Sequence, residues 1–183
     1  MSEINYNPSP GRHQFECTML DALPRTQAVV RGNSQHRALH GQICFYRMKD
    51  GTLVTAEVYG LPTNTKSNIF ALHIHEGSSC TGNTSNQFAG GTSDPFAGGT
   101  SDPFASTGGH YNPTRMPHPL HSGDLLPLFG NDGFAYYTFY TQRFKPEDVL
   151  GRTIVIHSDP DDFRTQPSGA SGTKIACGVI TAV

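Results

Sequence analysis

The sequence predicts an all-β fold of eight antiparallel strands, closed into a barrel or sandwich with Greek-key crossings. Three observations predict it. With 20 glycines and 13 prolines against 15% charged residues, the composition demands many turns. Short runs of alternating apolar and polar residues recur along the chain, which is the period of a strand with one buried face. Most connections between these runs are short and turn-rich, as in antiparallel sandwiches and barrels, and helix is expected to be minor at most.

Residues 1–25 read as a flexible, polar N-terminal arm, and residues 26–183 as one domain, since 183 residues support a single full core. Alternation begins at 26–32 (TQAVVRG) and continues through 41–47 (GQICFYR) and 52–60 (TLVTAEVYG). Asp50-Gly51, between the second and third runs, is a hairpin signal, because glycine supplies the positive φ that tight turns need. A fourth strand covers 68–75 (NIFALHIH), and a fifth and sixth cover 125–129 and 134–141, joined by the turn Gly130-Asn131-Asp132-Gly133. The last two strands are 152–158 (RTIVIHS) and 174–181 (KIACGVIT). Two long functional loops, 76–123 and 158–173, each follow a strand that ends on histidine, so both sets of histidines can meet at one end of an immunoglobulin-like barrel.

The first long loop contains a direct repeat, Phe88-AGGTSDP, Phe96-AGGTSDP and Phe104-AS, with a period of eight. Two glycine-rich copies cannot stack a core of their own, so the tract reads as a duplication within a loop, tethered by its phenylalanines. Further on, GHYNPTRMPHPLHSGD brings His110, His118, His121 and Asp124 together in a stretch whose prolines and glycine exclude a helix. Three imidazoles and a carboxylate form an N3O set that suits zinc, whereas magnesium and calcium sites are mostly oxygen. The plain alternative is a solvated histidine-rich loop. In 68–75, His73 and His75 lie two apart and so share one strand face, the arrangement of a second metal pair. His13, His36 and His40 read as solvated turn histidines.

A net charge of −2 offers no basic footprint for nucleic acid, and no apolar run approaches the roughly 20 residues of a membrane span. The N-terminus has no apolar signal region, which reads as cytoplasmic; a trimmed chain with an added Met would look the same and could be periplasmic or secreted. Cys17, Cys44, Cys80 and Cys177 show no zinc-ribbon spacing, leaving free thiols or a disulfide. Cys44 reads as a core-facing strand residue.

The spacing H-x-H, then H-x7-H-x2-H-x2-D, then a lone histidine ahead of a final strand with A-C-G-V-I resembles the copper,zinc superoxide dismutase family in its bacterial type. GHYNP, HSGDL, GRTIVIH and KIACGVI carry the likeness, which runs from about residue 26 to the C-terminus. The resemblance implies copper on His73, His75, His110 and His157, and zinc on His110, His118, His121 and Asp124, with His110 bridging both metals. It further implies a Cys80–Cys177 disulfide and an outer carboxylate, Asp161, linking His73 to His118. The implied activity is disproportionation of superoxide to oxygen and hydrogen peroxide, with copper and zinc as cofactors and His110 carrying a proton. Where the family has an arginine that guides the anion, this chain has Lys174, which keeps the charge but not the planar fork. The alternative is a copper- and zinc-binding module of the same fold with little turnover. A homodimer is left open.

Overall fold

Strand formation follows the alternation closely. The computed structural model describes residues 23–82 and 102–183. His13, Cys17 and the upstream repeat residues Phe88 and Phe96 lie outside that range. The strands are β1 (Thr26–Gly32), β2 (His40–Met48), β3 (Gly51–Tyr59), β4 (Ile69–Phe70), β5 (Leu72–His75), β6 (Leu128–Phe129), β7 (Phe134–Thr141), β8 (Thr153–His157) and β9 (Lys174–Ala182). The only helical elements among the described residues are single 3-10 turns at Ala105–Thr107 and Pro146–Val149.

Seven strands form one antiparallel sheet in the order β5-β8-β9-β1-β2-β3-β7, curled into a half-barrel, while β4 and β6 pair separately as a two-stranded ribbon. The concave face buries Ile43, Phe45, Val54, Ile154 and Ile180, each fully withdrawn from solvent. The strand expected over 68–75 divides at Ala71. Its first part pairs with β6 and its second with β8, and at the break Ala71 donates to Asp159 O while its carbonyl accepts from His157 N. The run expected over 125–129 shortens to β6 because Leu125 N donates back to Leu72 O, placing this segment with the histidine-rich loop.

The β2–β3 hairpin closes on the pair Met48–Gly51, leaving Lys49-Asp50 as its two-residue turn. Gly51 serves a different purpose from the one expected. It needs no positive φ, but a Cβ there would lie 2.2 Å from Thr141 O on β7, so close strand approach excludes a side chain.

Strands β5 and β8 are buried at every position. One face of each meets the core, and the other is covered by the long loops. Cys80 and Cys177 form a disulfide spanning 97 residues, tying the first loop to β9. Phe104, from the end of the repeat tract, packs against this disulfide and Val155. Cys44 is a buried free thiol on β2, but it does not face the core as expected, because its neighbours Ile43 and Phe45 occupy the core side and alternation turns Cys44 to the other face.

Candidate metal centre

The site is organised by β5, a strand with only one regular partner. Its opposite edge is stitched to the two ends of the histidine-rich loop: Tyr111 N donates to Ile74 O, Ile74 N donates to Gly123 O, and Glu76 N donates to Gly109 O. These bonds set His110 directly opposite His75, and Asp124 directly opposite His73. Period two along β5 then turns both of its imidazoles to the same side. Across the strand, the pairing of β5 with β8 leads the chain to His157.

Two groups of donors result. In each of them one ligand atom per residue lies within 4.8 Å of all the others: His73, His75, His110 and His157 in the first, and His110, His118, His121 and Asp124 in the second. His110 belongs to both. All seven side chains are shielded from solvent; the His121 side chain is 8% exposed and that of His110 4%.

In the second group, Asp124 Oδ1 lies 2.8 Å from His110 Nδ1 and 3.3 Å from His121 Nδ1. Asp124 Oδ2 lies 3.1 Å from His118 Nδ1, and the Nδ1 atoms of His110 and His121 are 3.4 Å apart. Donors at zinc–nitrogen distances of about 2.0–2.1 Å in a tetrahedron stand roughly 3.3 Å from one another. The spacing therefore fits a zinc ion.

The first group is distinguished by what its nitrogens lack. His73 Nδ1 and His110 Nε2 are buried without a hydrogen-bond partner, whereas His118 Nδ1 in the second group lies against Asp124. A buried polar atom without a partner costs about 1–3 kcal/mol, so two such nitrogens within one donor group fit a metal ion held between them. The remaining nitrogens are fixed by the protein. His75 Nδ1 donates to Gly108 O at 2.9 Å, which leaves Nε2 as the free lone pair, 3.2 Å from His157 Nε2. His157 Nδ1 in turn lies 3.3 Å from Ser171 Oγ. Four imidazoles presenting nitrogen are a donor set suited to copper.

Asp161 links the two groups. Its Oδ2 accepts from His73 Nε2 and its Oδ1 from His118 Nε2, both at 2.8 Å, which turns the Nδ1 atoms of both rings inward. Gly169 makes room for this carboxylate. At φ +71° it would place a Cβ 2.0 Å from Asp161 Oδ1 and 2.7 Å from His118 Nε2.

Electrostatics differ between the two groups. Burial, and then the neighbouring His110, lowers His73 to about 4 against the pull of Asp161. Burial and the adjacent imidazoles push His75 and His157 well below the ordinary range, with a contribution from Lys174. These three rings are neutral at neutral pH, the form that binds metal. His118 is opposite. Burial opposes its protonation, but Asp124 and Asp161 together raise it to about 9. Despite burial, both aspartates are held below the usual carboxylate range by their imidazole partners.

The structure brings His73, His75, His110, His118, His121, Asp124, His157 and Asp161 together, with Lys174 at the edge of the group. Lys174 faces His157 across the β8–β9 pairing, and its Nζ is 2.7 Å from Asp102 Oδ2. Several supports carried no sequence signal. A single nitrogen of Arg143 contacts the carbonyls of Pro119, His121 and Asp124 at 3.0–3.2 Å. The Gln166 side-chain amide grips the backbone of His118 at both N and O. His36 and His40 stand apart from the site, bonded to Asn33 and to the Ala38 carbonyl.

A curled antiparallel half-barrel carrying two metal-binding groups joined by one shared histidine defines a dinuclear metalloprotein. The family profile described as copper/zinc superoxide dismutase (SODC) matches residues 39–180. The chain belongs to that family. It is 39% identical over 172 residues to a Cu-Zn superoxide dismutase of Deinococcus radiodurans, covering 86% of each chain. It is 31% identical over 145 residues to Cu-Zn superoxide dismutase 2 of Aquifex aeolicus, covering 71% of this chain and 72% of the relative. A Cu/Zn superoxide dismutase structure from Brucella abortus superposes with a TM-score of 0.64 at 22% identity, over 84% of this chain and 98% of that one, which supports the fold.

Proposed function

We propose that this protein disproportionates superoxide, with copper held by His73, His75, His110 and His157, and zinc by His110, His118, His121 and Asp124. The observation that carries the reading is the pair of buried, unpartnered nitrogens, His73 Nδ1 and His110 Nε2, grouped with the Nε2 atoms of His75 and His157, which lie 3.2 Å apart. Copper held by these residues would supply one-electron chemistry, by which one superoxide is oxidised to oxygen and a second is reduced and leaves as hydrogen peroxide with two protons.

The chain's own residues prepare this chemistry. Gly108 O holds the proton of His75 on Nδ1 and so directs Nε2 to the metal side. Asp161 does the same for His73 with the nitrogens reversed. His110 faces the second group through Nδ1, so its Nε2 can hold a proton for outgoing peroxide and surrender it without the ring losing its position. Lys174, at the edge of the first group, supplies positive charge where an anion must enter. Burial of all four imidazoles excludes bulk water from their outer faces.

The Cys80–Cys177 bond supports residence in an oxidising compartment, which favours the periplasmic or secreted alternative over the cytoplasm. No helix among the described residues is long and apolar enough to cross a membrane. The pairing of Lys174 with Asp102 favours, as a second reading, a module that holds both metals with little turnover. Elemental analysis combined with a dismutation assay of the copper- and zinc-reconstituted protein separates the two. Copper, zinc and turnover support the enzyme, both metals without turnover support the module, and zinc alone contradicts the copper assignment.

A further inference from the structure

The end of the repeated tract is part of the site. From Asp102 to His110 the chain forms a strap bonded to β9 at its first end, to the loop after β5 along its middle, and to β5 at its far end. Lys174 Nζ reaches Asp102 Oδ2 at 2.7 Å and Phe104 O at 3.4 Å. The Phe104 ring covers the disulfide. Ser106 N donates to Thr81 O, and Gly77 N donates to Thr107 O. Gly108 O then accepts a hydrogen bond from His75 Nδ1, and His110 follows two residues later. One end of the strap therefore holds His75, a proposed copper ligand, and the other holds Lys174, the cation that the family resemblance places beside copper.

We propose that Asp102 is a positioning residue that anchors Lys174 and offsets its charge, so that entering anions meet an ion pair in place of a lone cation. The Lys174 side chain is 15% exposed and that of Asp102 40%, so the carboxylate lies on the more solvent-accessible side of the pair. An anion approaching through solvent is attracted by the ammonium and repelled by the carboxylate, and the two contributions largely cancel beyond a few ångströms. Attraction then acts mainly at short range. The inference rests on the copper assignment above, and it concerns charge at residues that bind no metal.

Azide affinity, read from the visible spectrum of the copper- and zinc-loaded protein across a salt series, tests it without reference to turnover. Asp102→Asn keeps an oxygen acceptor for Lys174 and removes the negative charge. It is expected to bind azide about threefold tighter at low salt, as one unit charge some 7 Å away gives in high dielectric, and the gain should shrink at high salt. Lys174→Gln should bind azide more weakly by a similar factor. The double variant, again without net charge, should return to the parental affinity, as should Asp102→Glu. Repeating Asp102→Asn with one GGTSDPFA unit deleted removes Asp94 as a substitute partner. Parental or weaker azide binding by Asp102→Asn at low salt overturns the proposal. If azide leaves the copper spectrum of the parent itself unchanged, the copper assignment fails instead.

Discussion

Asp161 Oδ2 accepts a hydrogen bond from His73 Nε2 at 2.8 Å, joining two side chains 88 residues apart in a pair almost wholly shielded from solvent. Its other oxygen makes an equal bond to His118, so a single carboxylate orients one ring of each metal group. Asp161→Asn keeps the volume but can accept through only one atom. One of the two histidines then loses its orientation. Zinc affinity, measured by competition with a chromophoric chelator, is expected to fall about 10–100-fold, the usual cost of losing such a partner. Parental zinc affinity would show that the rings are held by packing alone.

Gly169→Ala reaches the same contact from the other side. The added Cβ would stand 2.0 Å from Asp161 Oδ1 on a backbone already at positive φ, so either the carboxylate or the loop must move. Weakened zinc retention comparable to that of Asp161→Asn is expected, with the Cys80–Cys177 bond intact. Unchanged zinc retention in Gly169→Ala would mean that the loop yields without disturbing Asp161.

The raised pKa of His118, about 9, makes zinc binding depend on pH with a definite sign. In the metal-free protein this ring is protonated at pH 7, and zinc must displace that proton. Calorimetry in buffers of different ionisation enthalpy is expected to show about one proton released per zinc at pH 7 from this residue. Affinity should rise with pH up to about 9 and then level off. The same raised pKa stabilises the metal-free fold below the ordinary imidazole range, a contribution lost as pH rises through about 9. Zinc uptake without proton release at pH 7 would contradict the ionic arrangement of His118 with its two aspartates.

Arg143 is predicted to fix the histidine-rich loop, since it binds carbonyls on both sides of His121. Arg143→Ala should lower zinc affinity roughly tenfold, while Arg143→Lys restores part of it by returning a cation to the same carbonyls. Equal loss in both variants would show that a cation alone does not hold the loop and that the guanidinium geometry is required.

Cutting the Cys80–Cys177 bond should destabilise the metal-free protein by about 4–5 kcal/mol under the chain-entropy account, because the closed segment spans 97 residues. Denaturant unfolding of the Cys80→Ser, Cys177→Ser variant beside the parent measures it. A difference below about 1 kcal/mol would show that the first loop is held to β9 by the Phe104 packing and the strap without the covalent link.

What the sequence revealed of this site depended on spacing. His73 and His75 were legible because strand period puts them on one face, and His110, His118, His121 and Asp124 because proline and glycine force a loop dense in donors. The division of 68–75 at Ala71 was not legible, since β4 and β5 share one unbroken apolar run and separate only through their partners, β6 and β8. The disulfide and Asp161 entered only through family resemblance. Arg143 and Gln166 bind backbone atoms of the histidine-rich loop, and such bonds leave no residue pattern to read. The contact of Lys174 with Asp102 crosses 72 residues into a repeat that reads as a passive loop, yet the end of that repeat carries both the ion pair and the cover of the disulfide.

The claim that two metals share His110, with copper alone on the His157 side, is tested most directly by His157→Ala. Copper and zinc content per chain should be measured beside the dismutation rate, on parent and variant reconstituted together. The parent is expected to hold one of each metal and to turn over superoxide. The variant should retain zinc while copper binding weakens and dismutation falls to background. Retention of most activity with both metals in place would contradict the assignment of copper to His157 and the two-metal arrangement built on it.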